Sequence, residues 1–175
     1  MLSSLVGLAT TNTVCDTVNP LPFEFEPERY MGIWYSITQS KGNFYIPVSD
    51  CVSALYSELD LVTGSFKVQN CSSEGFEPRS NLTGTASVAD CPSGQIKVSF
   101  FGEEVDQPNY LILDTDYDTY AIVYGCDIED AVPNLWFLAR EPTLDEDLIA
   151  ELTAKSTEML PNYDWSVSVR DLQSD

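Results

Sequence analysis

The sequence predicts an all-β fold, a barrel or a sandwich, followed by one C-terminal helix. Eight short stretches of alternating or continuous apolar character lie between residues 33 and 139 at fairly even spacing. Polar segments bearing Gly or Pro separate most of them. A single helix signature then occupies 143–159. The chain has 175 residues, 43% of them hydrophobic, which suits one packed domain, and neither a repeat nor a linker interrupts it.

The first stretch, 33–39, is apolar and precedes a loop containing Gly42 and Pro47. Residues 51–59 alternate, 60–64 form a tight turn, and 65–71 follow. A polar loop is predicted over 72–80, with Gly75 and Pro78. The remaining strands are read at 82–88, 95–101, 110–113, 119–126 and 135–139. Thr143-Leu144-Asp145-Glu146 has the form of a capping box, in which the Thr143 hydroxyl accepts from the Glu146 amide. Leu144, Leu148, Leu152 and Met159 fall near one helical face with Ile149 beside them, and Pro161 ends the helix. Residues 165–169 alternate again as a last strand.

Charge and composition exclude several functions. Eight basic and 28 acidic residues leave a net charge of −20. Such a chain lacks the Lys and Arg that phosphate or anionic-lipid binding requires, so no nucleic-acid partner is expected. With no histidine, Ser-His-Asp and Cys-His catalysis and His-ligated metals are ruled out. No apolar run approaches the roughly 20 residues of a membrane span. Residues 1–10 are mildly apolar without a basic leader, and residues 1–22 read as an arm packed on a surface, its own or a protein partner's. The five cysteines, Cys15, Cys51, Cys71, Cys91 and Cys126, form no CxxC pair. They fit two disulfides and a spare thiol, or five reduced thiols. With the turn at 60–64, residue 51 falls opposite 72, so a Cys51–Cys71 bridge on the outer face is a candidate. Two sequons, at Asn70 and Asn81, add weak support for an oxidising compartment, secreted or a lumen such as the thylakoid lumen, rather than the cytoplasm.

Gly32-Ile33-Trp34 precedes the first strand, Thr115-Asp116-Tyr117 lies between the sixth and seventh, and Arg140 closes the eighth. In this order, around eight strands and a helix, they resemble the three signature regions of the lipocalins. The resemblance covers roughly 23–170. It points to the branch of apolipoprotein D and the bilin-binding proteins, above all in Tyr120-Ala121-Ile122-Val123-Tyr124 and Leu135-Trp136-Phe137-Leu138-Ala139-Arg140. It implies an eight-stranded antiparallel up-and-down β-barrel over 23–175, with one C-terminal α-helix and a ninth short strand. It also implies that Trp34 plugs one end under Arg140, a cation–π contact of about 0.5–2 kcal/mol, while Asp116 organises the adjacent turn. A cavity would open at the other end. The branch further implies a Cys15–Cys126 disulfide. Its second bridge, from the position of Cys51 to the C-terminal tail, cannot form because this tail has no cysteine. Cys91 is then left over.

Alternation, aligned on that resemblance, assigns the strand faces. Trp34, Ser36, Thr38, Gly84, Ala86, Ile96, Ile112, Tyr120 and Leu138 are expected inside. The expected ligand contacts are Ala54, Tyr56, Phe66, Val68, Asn70, Val98, Phe100, Tyr110, Ile122, Tyr124 and Trp136. This apolar, aromatic lining with a few hydroxyls suits a small hydrophobic molecule: a carotenoid or bilin pigment, a sterol or a neutral lipid. Acidic loops at the expected mouth (Glu74, Glu77, Glu103, Glu104, Asp106, Asp127, Glu129 and Asp130) have no EF-hand spacing, so no metal is expected. They would repel a carboxylate ligand and favour a neutral one or a basic partner. The competing reading is an acidic subunit of a larger, pigment-bearing membrane assembly, held through the arm. Lipocalin enzymes that act on prostanoids or xanthophyll epoxides resemble the chain less, because no cysteine is placed inward and no cysteine-rich domain is added.

Overall fold

The computed structural model describes residues 18, 21, 23–40, 50–74, 77–89, 93–125, 133–170 and 173. A one-turn helix, α1 (Pro27–Tyr30), leads into nine strands. They are β1 (Gly32–Ser40), β2 (Asp50–Asp60), β3 (Ser65–Glu74), β4 (Glu77–Val88), β5 (Gln95–Ser99), β6 (Tyr110–Thr115), β7 (Tyr120–Gly125), β8 (Asn134–Ala139) and β9 (Ser168–Arg170). Helix α2 (Glu146–Met159) lies between β8 and β9, and a 3-10 turn, Trp165–Val167, precedes β9.

Neighbouring strands pair antiparallel in sequence order from β2 to β8. β1 closes the sheet on itself: it pairs with β8 along one edge, and with β2 from Gly32 to Tyr35 along the other. From Thr38 to Ser40 that second edge pairs with β9. The result is the predicted eight-stranded up-and-down barrel with a ninth strand. Closure leaves few bare strand edges for other chains to join.

Two buried layers divide the apolar residues. The barrel interior holds Trp34, Tyr56, Phe66, Val68, Ile96, Ile112 and Val123. The outer face of β6, β7 and β8 packs Leu111, Ile122, Phe137 and their neighbours against Leu148, Leu152 and Met159 of α2. Val18 joins this outer layer, and Leu21, whose amide donates to the Ile112 carbonyl at 3.0 Å, joins the inner one. The last described part of the N-terminal arm is therefore packed on the barrel.

Several local expectations are corrected. The polar segment 72–80 is largely hairpin rather than loop: β3 runs to Glu74, β4 starts at Glu77, and Glu74 pairs with Glu77. A ladder held by backbone bonds does not need an apolar face at its end, so composition alone misread it. The cap of α2 is Asp145, not Thr143. The Asp145 carboxylate accepts from the amides of Asp147 at 2.9 Å and Leu148 at 3.4 Å. The last element begins as a 3-10 turn, and only 168–170 is strand.

The Cys51–Cys71 bridge is also corrected, since the structure does not join the two sulfurs. Cys71 pairs with Ser53, and a bulge between Asp50 and Ser53 gives Cys51 a φ of 51°. The bulge carries Cys51 out of step with its partner strand. Cys15, Cys91 and Cys126 lie outside the described residues, as do Asp127, Glu129 and Asp130.

Candidate functional site

One end of the barrel is plugged. The Trp34 side chain is fully buried, and its Nε1 donates to the Tyr30 carbonyl at 2.8 Å. The Arg140 guanidinium lies 3.8 Å above the Trp34 ring. It donates to three carbonyls, those of Tyr117 at 2.9 Å, Ile33 at 2.9 Å and Arg29 at 2.7 Å. Gly32 has φ 98°, and a Cβ there would stand 3.3 Å from Arg140 Nη1, so glycine opens the space the guanidinium uses.

The Thr115-Asp116-Tyr117 turn completes the plug. Asp116 Oδ1 accepts from the amides of Asp118, Thr119 and Tyr120 at 3.1, 2.7 and 3.0 Å. Burial alone would raise this carboxyl, but those amides outweigh it and hold it below the usual carboxylate range. The Tyr117 hydroxyl accepts from the Glu26 amide at 3.0 Å, and the Arg29 guanidinium sits 4.5 Å from the Tyr117 ring. Gly32, Trp34, Thr115, Asp116, Tyr117 and Arg140 thus meet at one place with their polar atoms engaged on protein partners. This geometry closes the barrel at one end.

Beyond the plug lies a partly open cavity of about 90 Å³. Its wall is chiefly Val52, Ala54, Val68, Val98, Phe100 and Leu138, with the aromatic rings of Tyr56, Tyr110 and Trp136. Tyr110 and Trp136 stack with centroids 6.3 Å apart. Gly125 permits this, because a Cβ there would come within 2.7 Å of the indole.

Polar groups are few and specific. Asn109 continues the β5–β6 ladder with its side chain, Oδ1 accepting from Val98 N at 2.8 Å and Nδ2 donating to Val98 O at 2.9 Å. Asn70, only 8% exposed, lines the cavity across from Ala54 on β2. Toward the plug, the hydroxyl of Tyr110 meets those of Tyr30 at 2.8 Å and Tyr56 at 2.9 Å. Burial pushes the Tyr56 phenol up to about 12, against the pull of its hydrogen bonds. It pushes Tyr30 and Tyr110 well above their ordinary value, with the neighbouring phenols adding to the effect. All three are neutral at physiological pH.

Of the expected ligand contacts, Ala54, Tyr56, Val68, Asn70, Val98, Phe100, Tyr110 and Trp136 surround the cavity. Phe66 is inside the barrel but away from the cavity wall, edge-on to Tyr56 with centroids 5.8 Å apart. Ile122 and Tyr124, and Tyr120 with them, are corrected: they face α2, in the outer layer. Cross-strand partners share a face, and the inward residues Tyr110 and Ile112 pair with Gly125 and Val123. The inward row of β7 is therefore Ala121, Val123 and Gly125. A bulge between Ser36 and Thr38 likewise sets Thr38 opposite Phe137, whose ring packs in the outer layer.

Val52, Ser53, Asn109, Gly125 and Asn134 line the cavity without having been foreseen. The Asn109 clamp had one sequence signal, an Asn placed immediately before a strand. At the mouth, Glu103, Glu104 and Asp106 on the β5–β6 connection are exposed.

The family profile described as a lipocalin-like domain matches residues 25–168. Apolipoprotein D of Rattus norvegicus is 30% identical over 167 residues, covering 87% of this chain and 83% of the relative. Outer membrane lipoprotein Blc of Escherichia coli (strain K12) is 32% identical over 138 residues, covering 76% and 72%. Among solved structures, insecticyanin from the tobacco hornworm Manduca sexta superposes with a TM-score of 0.68 at 21% identity, covering 87% of this chain and 82% of that one. Lobster apocrustacyanin A1 superposes with a TM-score of 0.66 at 18% identity, covering 91% and 93%. At these identities the structural likenesses speak for the fold alone.

Proposed function

This chain belongs to the lipocalin-like family, and on that premise we propose that it is a binding protein that carries one small hydrophobic molecule inside the barrel. The observation that carries the reading is the contrast along the barrel axis: a plug with its polar atoms engaged, then an apolar, ring-lined cavity that is partly open. Ala54, Tyr56, Val68, Val98, Phe100, Tyr110 and Trp136 would hold the ligand's apolar body, and the Asn70 amide would meet a polar group on it. A volume of about 90 Å³ is small beside the roughly 300–1,000 Å³ of sites for drug-sized ligands. It suits a slender polyene, isoprenoid or acyl chain whose remainder stands in the mouth. A carotenoid or neutral lipid fits this better than a whole bilin or sterol. Exposed Glu103, Glu104 and Asp106 disfavour an anionic end at the mouth.

We also propose that the chain is a carrier rather than an enzyme and that it works outside the cytoplasm, secreted or in a lumen. The relative named as an outer membrane lipoprotein and the exposed Asn81 sequon support that location. No helix among the described residues is long and apolar enough to cross a membrane. The Cys15–Cys126 disulfide remains part of this proposal, and peptide mapping without reductant would find the linked pair.

The test is purification under native conditions, followed by an absorption spectrum and mass spectrometry of the extracted small molecules. A single neutral hydrophobic species at about one per chain is expected. Protein that carries none, and takes up no lipophilic probe, would overturn the reading.

A further inference from the structure

The three phenols toward the plug carry more information than their apolar surface. Three hydroxyls hold three protons, and two hydrogen bonds join them, both through Tyr110. Each phenol donates once and can also accept. Those two bonds use two of the protons, and the third has only the looser Tyr56–Tyr30 contact, which does not reach the geometry of the other two. Tyr30 is fully buried and does not line the cavity, whereas Tyr56 and Tyr110 do. Rotation of the Tyr56 or Tyr110 hydroxyl can turn that proton toward a ligand while both close bonds are kept. A ligand oxygen gives this loosely held donor a full acceptor, so a ligand that has one is selected over one that does not.

The same neighbourhood rejects charge. Among the described residues Arg140 is the cation whose charge acts on Tyr30, and its guanidinium is spent on Trp34 and three carbonyls. A carboxylate seated among the phenols would be stripped of water without a counter-ion.

Resting on the carrier reading, we infer that Tyr56 and Tyr110 form a polar seat for the ligand's leading end, and that this end carries a neutral hydrogen-bond acceptor, a carbonyl or hydroxyl oxygen. The preferred cargo is thus an oxygen-terminated slender hydrophobe, inserted oxygen first. Hydrocarbons of the same shape and free acids are discriminated against.

Three matched polyenes test this: all-trans-retinal, retinoic acid and the hydrocarbon that lacks the terminal oxygen. Each is titrated into the protein and into the Tyr56→Phe/Tyr110→Phe variant, with tryptophan quenching as the readout. One neutral hydrogen bond corresponds to roughly a three- to tenfold preference. Retinal is therefore expected to bind that much more tightly than the hydrocarbon, and retinoic acid more weakly than retinal. The variant should lose the preference while keeping its affinity for the hydrocarbon, which also shows that its cavity is intact. The bound aldehyde's absorption should shift to the red in the wild type relative to the variant, as hydrogen bonding to a conjugated carbonyl requires. Equal affinity for aldehyde and hydrocarbon, or a preference that survives in the variant, would overturn the polar seat and leave the carrier reading standing. Failure of all three polyenes to bind would remove both. If the double variant does not fold, Tyr56→Phe alone should narrow the preference, and an unchanged ratio there counts against the inference.

Discussion

The two ends of this barrel use similar residues to opposite ends. At the plug, Trp34, Tyr117 and Arg140 lie in close mutual contact with their polar atoms engaged on protein partners. Beyond it, Tyr56, Tyr110, Trp136 and Asn70 surround open space. The first arrangement stabilises the fold. The second forgoes some stability, because groups that could have been packed are held ready for something else.

The contrast predicts that changes at the plug alter stability without altering ligand affinity, and that changes at the cavity do the reverse. The largest effect is expected from Trp34→Ala. It should cost about 3–5 kcal/mol in chemical denaturation, as deletion of a buried aromatic does, while the folded fraction keeps its affinity for a lipophilic probe. A comparable loss of affinity would break the division.

Alkaline pH probes the phenols between the two regions. Their folded-state values are raised above the unfolded one, so the stabilisation is fully present below about pH 10, where the unfolded chain's phenols begin to ionise. It is lost as pH rises through the Tyr56 value of about 12, an effect on the order of 3 kcal/mol for that residue alone. Urea midpoints measured between pH 9 and 12 should fall, and the phenolate absorbance that Tyr56→Phe removes should be the part that appears together with unfolding. A Tyr56→Phe variant that loses phenolate absorbance at pH 10 in folded protein would contradict the burial.

Asn70→Leu removes the side-chain amide from the cavity wall. It should weaken binding of a ligand that carries a polar group by roughly three- to tenfold with little change in stability, both read from one thermal-shift series with and without ligand. The smallest effect belongs to a pair outside both regions. Lys67 Nζ and Glu58 Oε2 meet at 2.7 Å with both side chains more than half exposed, and Lys67→Ala should change stability by under about 0.5 kcal/mol with no effect on binding.

The plug was legible in the sequence because its residues occupy fixed places around tight turns, where Gly32, Asp116 and Arg140 have few substitutes. The strands were legible from their spacing and alternation. β7 was not, and the reason is physical. Its outer face is covered by α2, so Tyr120, Ile122 and Tyr124 are as apolar as a lining would be, while the true inward row, Ala121, Val123 and Gly125, is small because the cavity needs room. Alternation cannot choose between two buried faces. The pairing of β6 with β7 does, and that pairing is a property of the folded sheet. The hairpin over 72–80 and the Asn109 clamp were hidden for a related reason: backbone ladders, and side chains that imitate them, leave little trace in hydrophobicity.

The central claim, that the space beyond the plug is a binding site, is tested most directly by filling it. Ala54 lines the cavity opposite Asn70 on the neighbouring strand. Tryptophan-quenching titrations of wild type and Ala54→Phe with one slender lipophilic ligand compare the two states. Saturable binding of one ligand per chain is predicted for the wild type, with at least a tenfold loss in Ala54→Phe and no loss of fold by circular dichroism. Undiminished binding in a folded Ala54→Phe protein would show that the ligand sits elsewhere and would contradict the account.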